Sequence, residues 1–419
     1  MSVDQTDVLI VGAGPAGLSA GIALKRLGVK RVIVVDREES AGGMPRLCHH
    51  TGFGLRDLRW AYSGPDYARH YVRQAQTAGL EIRTATTVTG WQDSSTVAIT
   101  SPGGLGQIQA GAILLATGCR ERPRSARLVP GRRPQGVFTT GSLQRFVYQH
   151  QLPVGKRAVI VGAELVSLSA LMTLAHARVS AVAMVTEHPS HQIYFPYRAA
   201  KWLYADLMAR VPVLSGARVS NLLGGQRLEG VEITHTASGQ QETLPCDAVV
   251  FTGDWIPEHE LARSGGVLLD AGTRGPQVDP GYHTSTRGVF AAGNLLRGAE
   301  TADACALEGA QAARHIHSFL TGAAWPAQGL PVAVATPIQW IYPNVINAGD
   351  AASDASAFHF RVQSFCRDMR VTVEQNLKEV FSQSYRSLAP NDTIRLDGRW
   401  LSAIDPAGGA VRVGLESDR

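Results

Sequence analysis

Three glycines stand where a backbone must come close to a phosphate. The run Asp7-Val-Leu-Ile-Val-Gly12-Ala-Gly14-Pro15-Ala16-Gly17 leads into an amphipathic stretch and then into Val32-Ile-Val-Val-Asp36. Gly12 permits a tight turn off an apolar strand. Gly14 keeps a Cβ out of the space a pyrophosphate needs, and Gly17 lets a helix lie close to a sheet. Free N–H groups at the start of that helix add partial positive charge. Asp36 falls where a carboxylate can accept hydrogen bonds from ribose hydroxyls. A lone glycine triplet carries little weight. Here strand, turn, helix, second strand and acid follow in the order a dinucleotide site requires.

An altered copy follows at Ala158-Val-Ile-Val-Gly162-Ala-Glu164-Leu-Val-Ser167. Glu164 and Ser167 occupy two of its glycine positions. Val159, Ile160, Val161, Leu165, Val166, Leu168 and Leu171 still predict a strand and a helix around the turn. A glutamate there fills space and sets an anion against an anionic diphosphate, a repulsion of about 1 to 4 kcal/mol at roughly 4 Å. The expectation is a retained Rossmann-like half without tight NAD(P)H binding. Weak nucleotide binding stays open if Glu164 swings aside.

The elements that position these turns need more than one core: 419 residues exceed a single compact domain. Hydrophobic residues at 44% and charged ones at 18% suit an ordered soluble chain. Arginine carries most of the positive charge behind the net +5; Lys25, Lys30, Lys156, Lys201 and Lys378 are the only lysines. No basic run interleaves with aromatics, which argues against nucleic acid as a partner. No signal-peptide or membrane-spanning pattern stands out, so the expected location is cytoplasmic, with membrane association only through partners.

Cys48, Cys119, Cys246, Cys305 and Cys366 form no CxxC or CxxxxC pair and no four-cysteine cluster. Neighbouring residues therefore supply neither a dithiol relay nor an iron–sulfur centre, and no ligand spacing supports a metal. Cys48 is the thiol to watch, because it follows the Gly42-Gly43 turn. Arg46, His49, His50 and Arg56 form a polar constellation in the same loop. Structural hydrogen bonds or a route for electrons both fit it. Toward the C-terminus, Phe358–Phe365, Met369–Gln375, Asp392–Leu396 and Ala410–Gly414 alternate in polarity and predict half-buried antiparallel strands.

Two further motifs carry a resemblance. Ile113-Leu-Leu-Ala-Thr117-Gly118 resembles the strand-turn of flavoproteins with two dinucleotide-binding domains. Arg287-Gly-Val-Phe-Ala-Ala-Gly293-Asn294 resembles their second flavin motif. In that motif the last residue is acidic and holds the ribityl chain; Asn294 keeps an acceptor and loses the charge. The following Ala302–Leu320 segment predicts a helix whose N-terminus would face the N1/O2 edge of the flavin. The chain thus resembles FAD-dependent pyridine-nucleotide-disulfide-type oxidoreductases lacking the redox disulfide. Gly42-Gly43-Met44-Pro-Arg46, His50–Asp57 and Ala291–Asp303 are similar to the α-type subunits of heteromeric amino-acid and amine dehydrogenases. That group includes the corresponding components of opine oxidase and hydrogen cyanide synthase, and the dye-linked proline and hydroxyproline dehydrogenases.

The resemblance implies an α/β fold with two Rossmann-like dinucleotide-binding domains, the FAD domain split by an inserted NAD(P)-like domain, and a small β-rich C-terminal domain. The expected boundaries are 1–130 and 284–328 for the FAD domain, 131–283 for the insert and 329–419 for the C-terminal domain. FAD would be held by Gly12, Gly14, Pro15, Ala16, Gly17, Asp36, Arg37, Gly43, Met44, Arg46, Val88, Thr117, Gly118, Gly293, Asn294 and Thr301. No proton-transferring side chain is assigned, because electron exchange needs mainly positioning and electrostatics. The implied partners are an amino-acid-oxidase-like flavoprotein that oxidises the substrate and a small [2Fe–2S] protein, in a hetero-oligomer. Two other readings remain: a stand-alone NAD(P)H-dependent flavin reductase of a small redox protein, and a non-catalytic nucleotide-binding scaffold.

Overall fold

A computed structural model describes residues 3–194, 197–202, 205–206, 210–327, 329–347 and 357–418. The first glycine turn connects strand Val3–Val11 to helix Pro15–Arg26, and strand Val32–Val35 returns beside the first. Every residue of Val32–Val35 is buried, as expected of a parallel strand covered on both faces. Seven strands form this sheet in the order Glu81–Arg83, Val32–Val35, Val3–Val11, Gly104–Leu115, Thr96–Ser101 and Thr87–Trp91, with Val289–Ala291 added along the end of Gly104–Leu115. The pairings of Thr87–Trp91 and Thr96–Ser101 are antiparallel; the rest are parallel.

A second sheet is wholly parallel, in the order Val137–Thr139, Ala248–Phe251, Arg157–Val161, Ser180–Thr186 and Val213–Ser215. Beside it lies an antiparallel trio, Ala217–Gly224, Leu228–His235 and Gln241–Pro245. The C-terminal region forms two mostly antiparallel sheets around Phe358, Phe360, Trp400, Val371 and Val413. Leu330–Val334 departs from the antiparallel expectation by pairing in parallel with Val411–Ser417. Strand Ala357–Val362 departs from strict alternation: Phe360, Arg361 and Val362 are all buried.

Two helices clamp the first sheet at its glycine turn. Helix Ala302–Leu320 crosses helix Pro15–Arg26 so closely that a Cβ on Gly309 would lie 2.0 Å from Ala16 O. Glycine inside a helix costs about 1 kcal/mol relative to alanine, so its presence in the middle of this long helix marks a close approach. Gly17 serves the same end: a Cβ there would sit 1.9 Å from Gly12 O.

Gly309→Ala is therefore expected to destabilise the fold by roughly 1–3 kcal/mol, despite alanine's better helix propensity, because the obstacle is backbone and cannot turn away. Thermal unfolding and flavin content of the purified variant check this.

Candidate functional site

Five segments converge on the head of the first helix. Gly12, at φ +113°, makes the turn, and a Cβ there would lie 2.3 Å from Ala116 O. Its N–H donates to Val35 O at 2.8 Å, and the Ala116 N–H donates to Val11 O at 2.9 Å. Gly43 folds back over Gly14 with φ +64°: a Cβ on Gly43 would come 2.8 Å from Gly14 Cα, whereas one on Gly14 meets nothing nearer than 3.9 Å. Gly118 faces open space, and Gly293 lies against Ala16. Pro15 opens the helix, so none of its first N–H groups is lost to a side-chain cap.

The Asp36 carboxylate anchors this turn. Oδ2 accepts the Ala13 N–H at 2.7 Å and Oδ1 accepts the Glu38 N–H at 2.9 Å. Each oxygen keeps a further lone pair for a ribose hydroxyl. The Thr86 N–H donates to Asp36 O, and Val88 follows two residues later, half-buried against the core. Thr117 Oγ1 donates to Glu258 O at 2.9 Å. Arg37 is exposed and only approaches Glu258, at 3.4 Å. Arg46 Nε donates to Gly43 O at 3.2 Å, which braces the glycine pair. The Met44 side chain is exposed.

Asn294 is already engaged within the chain: its Oδ1 accepts the Glu300 N–H at 2.8 Å and the Cys305 thiol at 3.0 Å. Next to it Thr301 heads helix Ala302–Leu320 with its Oγ1 buried and without a partner. An orphaned hydroxyl at this helix head, together with the Cβ-free space at Gly14 and Gly118, suits a ligand with a diphosphate at one end and a polar ring edge at the other. Cys48 is not a poised nucleophile; burial pushes its thiol up to about 12. His49 belongs to structure as well, stacking flat on Tyr148 with ring centroids 3.9 Å apart.

The second turn repeats the first bond for bond. The Gly162 N–H donates to Val185 O, the Gln192 N–H to Ala163 O and the Thr252 N–H to Val161 O, matching Gly12, Gly42 and Ala116 in the first copy. At equivalent positions Thr186 replaces Asp36 and Ile193 replaces Gly43, two losses that the motif reading missed. Thr186 Oγ1 accepts the His188 N–H, as Asp36 accepts that of Glu38. Glu164 points inward and is 5% exposed. Its carboxyl lies against Gly162, Thr252 and Gly253, with Oε1 unpartnered.

Burial raises the Glu164 carboxyl above the usual range, against the opposing hydrogen bond from Thr252 and the field of Arg127. Desolvation favours the neutral acid. The Glu164 carboxyl occupies space beside Gly162 and Gly253 in this turn.

Several ion pairs between segments escaped sequence reading. The Arg145 guanidinium makes a two-pronged pair with Glu38, at 2.8 and 3.1 Å, and holds that carboxyl low. It ties the helix after Thr139 to the first sheet. At the other side, Arg297 is buried between Glu308 and Glu300 and lies over the Tyr342 ring at 4.3 Å. Burial works against its charge, but the Glu308 and Glu300 carboxylates outweigh it. Glu300 also meets the buried Arg361 at 3.2 Å, so the C-terminal sheets are bolted to the head of helix Ala302–Leu320. A buried arginine has no periodic signature; only the tertiary fold reveals it.

The site and sheets define a dinucleotide-binding oxidoreductase of the two-Rossmann type. The family profile described as pyridine nucleotide-disulphide oxidoreductase matches residues 6–309, and the chain belongs to this family. FAD is its cofactor, and the chain is an FAD-dependent oxidoreductase. All five cysteines are free.

An opine oxidase subunit of Rhizobium meliloti is 29% identical over 337 residues, covering 73% of this chain and 60% of that protein. Its counterpart in Agrobacterium tumefaciens (strain Ach5) is 28% identical over 340 residues, covering 74% and 63%. The alpha subunit of sarcosine oxidase from Rhizobium meliloti (strain 1021) is 27% identical over 326 residues, covering 74% of this chain and 30% of that protein. The chain thus spans about 60% of the length of these opine oxidase subunits and under a third of the sarcosine oxidase one. Among solved structures, thioredoxin reductase of Lactococcus lactis superposes with TM-score 0.64 at 16% identity, over 76% of this chain and all of the other. L-proline dehydrogenase from P. horikoshii superposes with TM-score 0.55 at 16% identity, over 78% of this chain and 58% of that one. These two likenesses concern the fold.

Two substitutions probe the site. The raised Glu164 carboxyl gives the folded chain a proton that the unfolded chain releases above about pH 4.3. Its contribution is complete below that value and is lost as pH rises through the folded one. Glu164→Gln keeps the neutral shape, so it should lose less stability than wild type as pH rises above about 4.3; urea midpoints at successive pH values test the sign. Glu300→Ala leaves Arg361 buried without its carboxylate and should cost about 3–5 kcal/mol, measured by the same denaturation.

Proposed function

We propose that this chain is the FAD-bearing electron-transfer subunit of a heteromeric dehydrogenase or oxidase acting on an amino acid or secondary amine. It receives electrons from a partner flavoprotein and passes them to an iron–sulfur or quinone-linked acceptor, such as a small [2Fe–2S] protein. The observation that carries this reading is the buried Glu164 carboxyl inside the second turn. A nicotinamide dinucleotide has no cradle there, so reducing power enters through protein partners. The names of relatives as oxidase subunits support the same reading.

In this reading residues 1–130 and 284–328 compose the FAD-binding domain and 131–283 a degenerate NAD(P)-like insert, with 329–419 as the C-terminal domain. Gly12, Gly14, Pro15, Ala16 and Gly17 bind the diphosphate, and Asp36, Arg37 and Val88 take the adenosine end. Gly43, Met44, Arg46, Thr117, Gly118, Gly293, Asn294 and Thr301 hold the remainder. Bound FAD supplies the electron-accepting ring. The protein contributes position and field, including the helix head at Thr301. No helix among the described residues is long and apolar enough to cross a membrane. In this reading the chain acts in the cytoplasm and meets membranes only through partners.

Anaerobic stopped-flow mixing of the FAD-loaded chain with NADH or NADPH tests the proposal. The flavin absorbance should persist on the timescale of turnover, while a chemical reductant bleaches it. Rapid bleaching by either nucleotide would overturn the reading in favour of a stand-alone reductase. Release of ADP or ATP from a colourless preparation would favour the scaffold.

A further inference from the structure

The loop that follows the glycine pair displays side chains the FAD site does not use. Trp60 is 67% exposed and Leu55 51%. They are not on a loose tail, because the Leu58 and Trp60 N–H groups both donate to Gly54 O and close the turn. Arg56 and Arg59 of the same loop, and Arg69 and Arg73 of the helix Gly64–Thr77 that follows it, face solvent. The acids near this loop are engaged within the chain. Asp57 accepts hydrogen bonds from the Tyr67 and Tyr71 hydroxyls at 2.6 and 2.7 Å, and Asp66 is paired with Arg69. Tyr62 and His70, with ring centroids 5.4 Å apart, join Asp66, Arg69 and Arg73 around a depression of about 150 Å³.

Exposed apolar side chains and guanidinium groups thus share this loop and the helix that follows it. Tryptophan, tyrosine and arginine are the residues that most often dominate protein interfaces. The face is continuous with the cofactor site: the Arg56 N–H donates to Asp303 Oδ2 at 3.2 Å, at the head of helix Ala302–Leu320. Its cations are all arginines, with no lysine from Gly42 to Thr77. Guanidinium forks match carboxylates in two-pronged pairs. A concave face of this kind suits carboxylate side chains of a protein better than a flat anionic lipid surface.

We propose that the face formed by Leu55, Arg59, Trp60, Tyr62 and Arg73 is the docking surface for an acidic electron-carrier protein. This rests on the electron-transfer reading above and adds where the partner binds and what charge it bears. Complementary charge speeds encounter and makes it salt-sensitive, while Trp60 supplies the apolar anchor.

The test uses the FAD-loaded chain and a plant-type [2Fe–2S] ferredoxin as the acidic probe, titrated by calorimetry at low and moderate salt. Wild type should bind, with affinity falling as salt rises. Trp60→Ala and the pair Arg59→Glu/Arg73→Glu should each weaken binding about tenfold or more. Arg218→Glu, at an exposed position on a separate sheet, should leave it unchanged. Absence of binding by wild type, equal binding by the variants, or an equal loss in R218E would overturn the proposal. Binding to phosphatidylserine vesicles with no affinity for ferredoxin would overturn it too. Flavin content and the NADH mixing experiment are read on every variant. They separate loss of docking from failure of the FAD fold or of the electron-transfer reading.

Discussion

Backbone must touch backbone at the head of the first helix, and most of the structure follows from that. Gly17 brings helix Pro15–Arg26 down onto Gly12, and Gly309 brings helix Ala302–Leu320 down onto Ala16. Gly43 closes over Gly14 from a third side. Three chain segments far apart in sequence are thereby held within one side chain's thickness of each other. FAD needs that enclosure, since the helix N–H groups act on a phosphate only at short range. The cost is that almost no substitution is tolerated at these contacts, and each is fixed by the absence of a Cβ rather than by any bond.

The second Rossmann-like unit keeps the same frame with different residues at its glycine turn. Its strands, helix and turn hydrogen bonds reproduce the first. The frame is a property of apolar strands and a helix packed on them, and it survives the loss of its glycines. What changes is the filling. A carboxyl lies beside the glycine turn, and a threonine stands where the first copy has its acid. The unit is then free to serve as a wall, held to the first sheet by the Arg145–Glu38 pair and the His49–Tyr148 stack.

Sequence reasoning reached the parts of this molecule that are written locally. Helix Ala302–Leu320 appears with its expected bounds, because apolar periodicity and a flanking turn decide such elements. The glycine positions were legible because so few residues can stand there. Glu164 was legible as an obstruction, but its burial was not, because exposure cannot be read from a motif. The Arg297–Glu308, Arg361–Glu300 and Arg145–Glu38 pairs were invisible, since each joins residues whose neighbours in sequence say nothing of their neighbours in space. The role of the C-terminal sheets was open for the same reason, and the buried arginines show that they brace the helix head.

Strand Val289–Ala291 completes the first sheet by pairing with Ile113–Leu115, and the entire second sheet lies between them in the chain. A ribosome adding about 5–20 residues per second therefore releases the amino-terminal sheet without its last strand and without the helix that seals the glycine turn. Until that distant piece emerges, the apolar border of Gly104–Leu115 stays uncovered while the intervening unit folds on its own. Flavin capture must then be a late event in biosynthesis, and the nascent protein passes through a stage in which it relies on chaperones or on speed to escape aggregation.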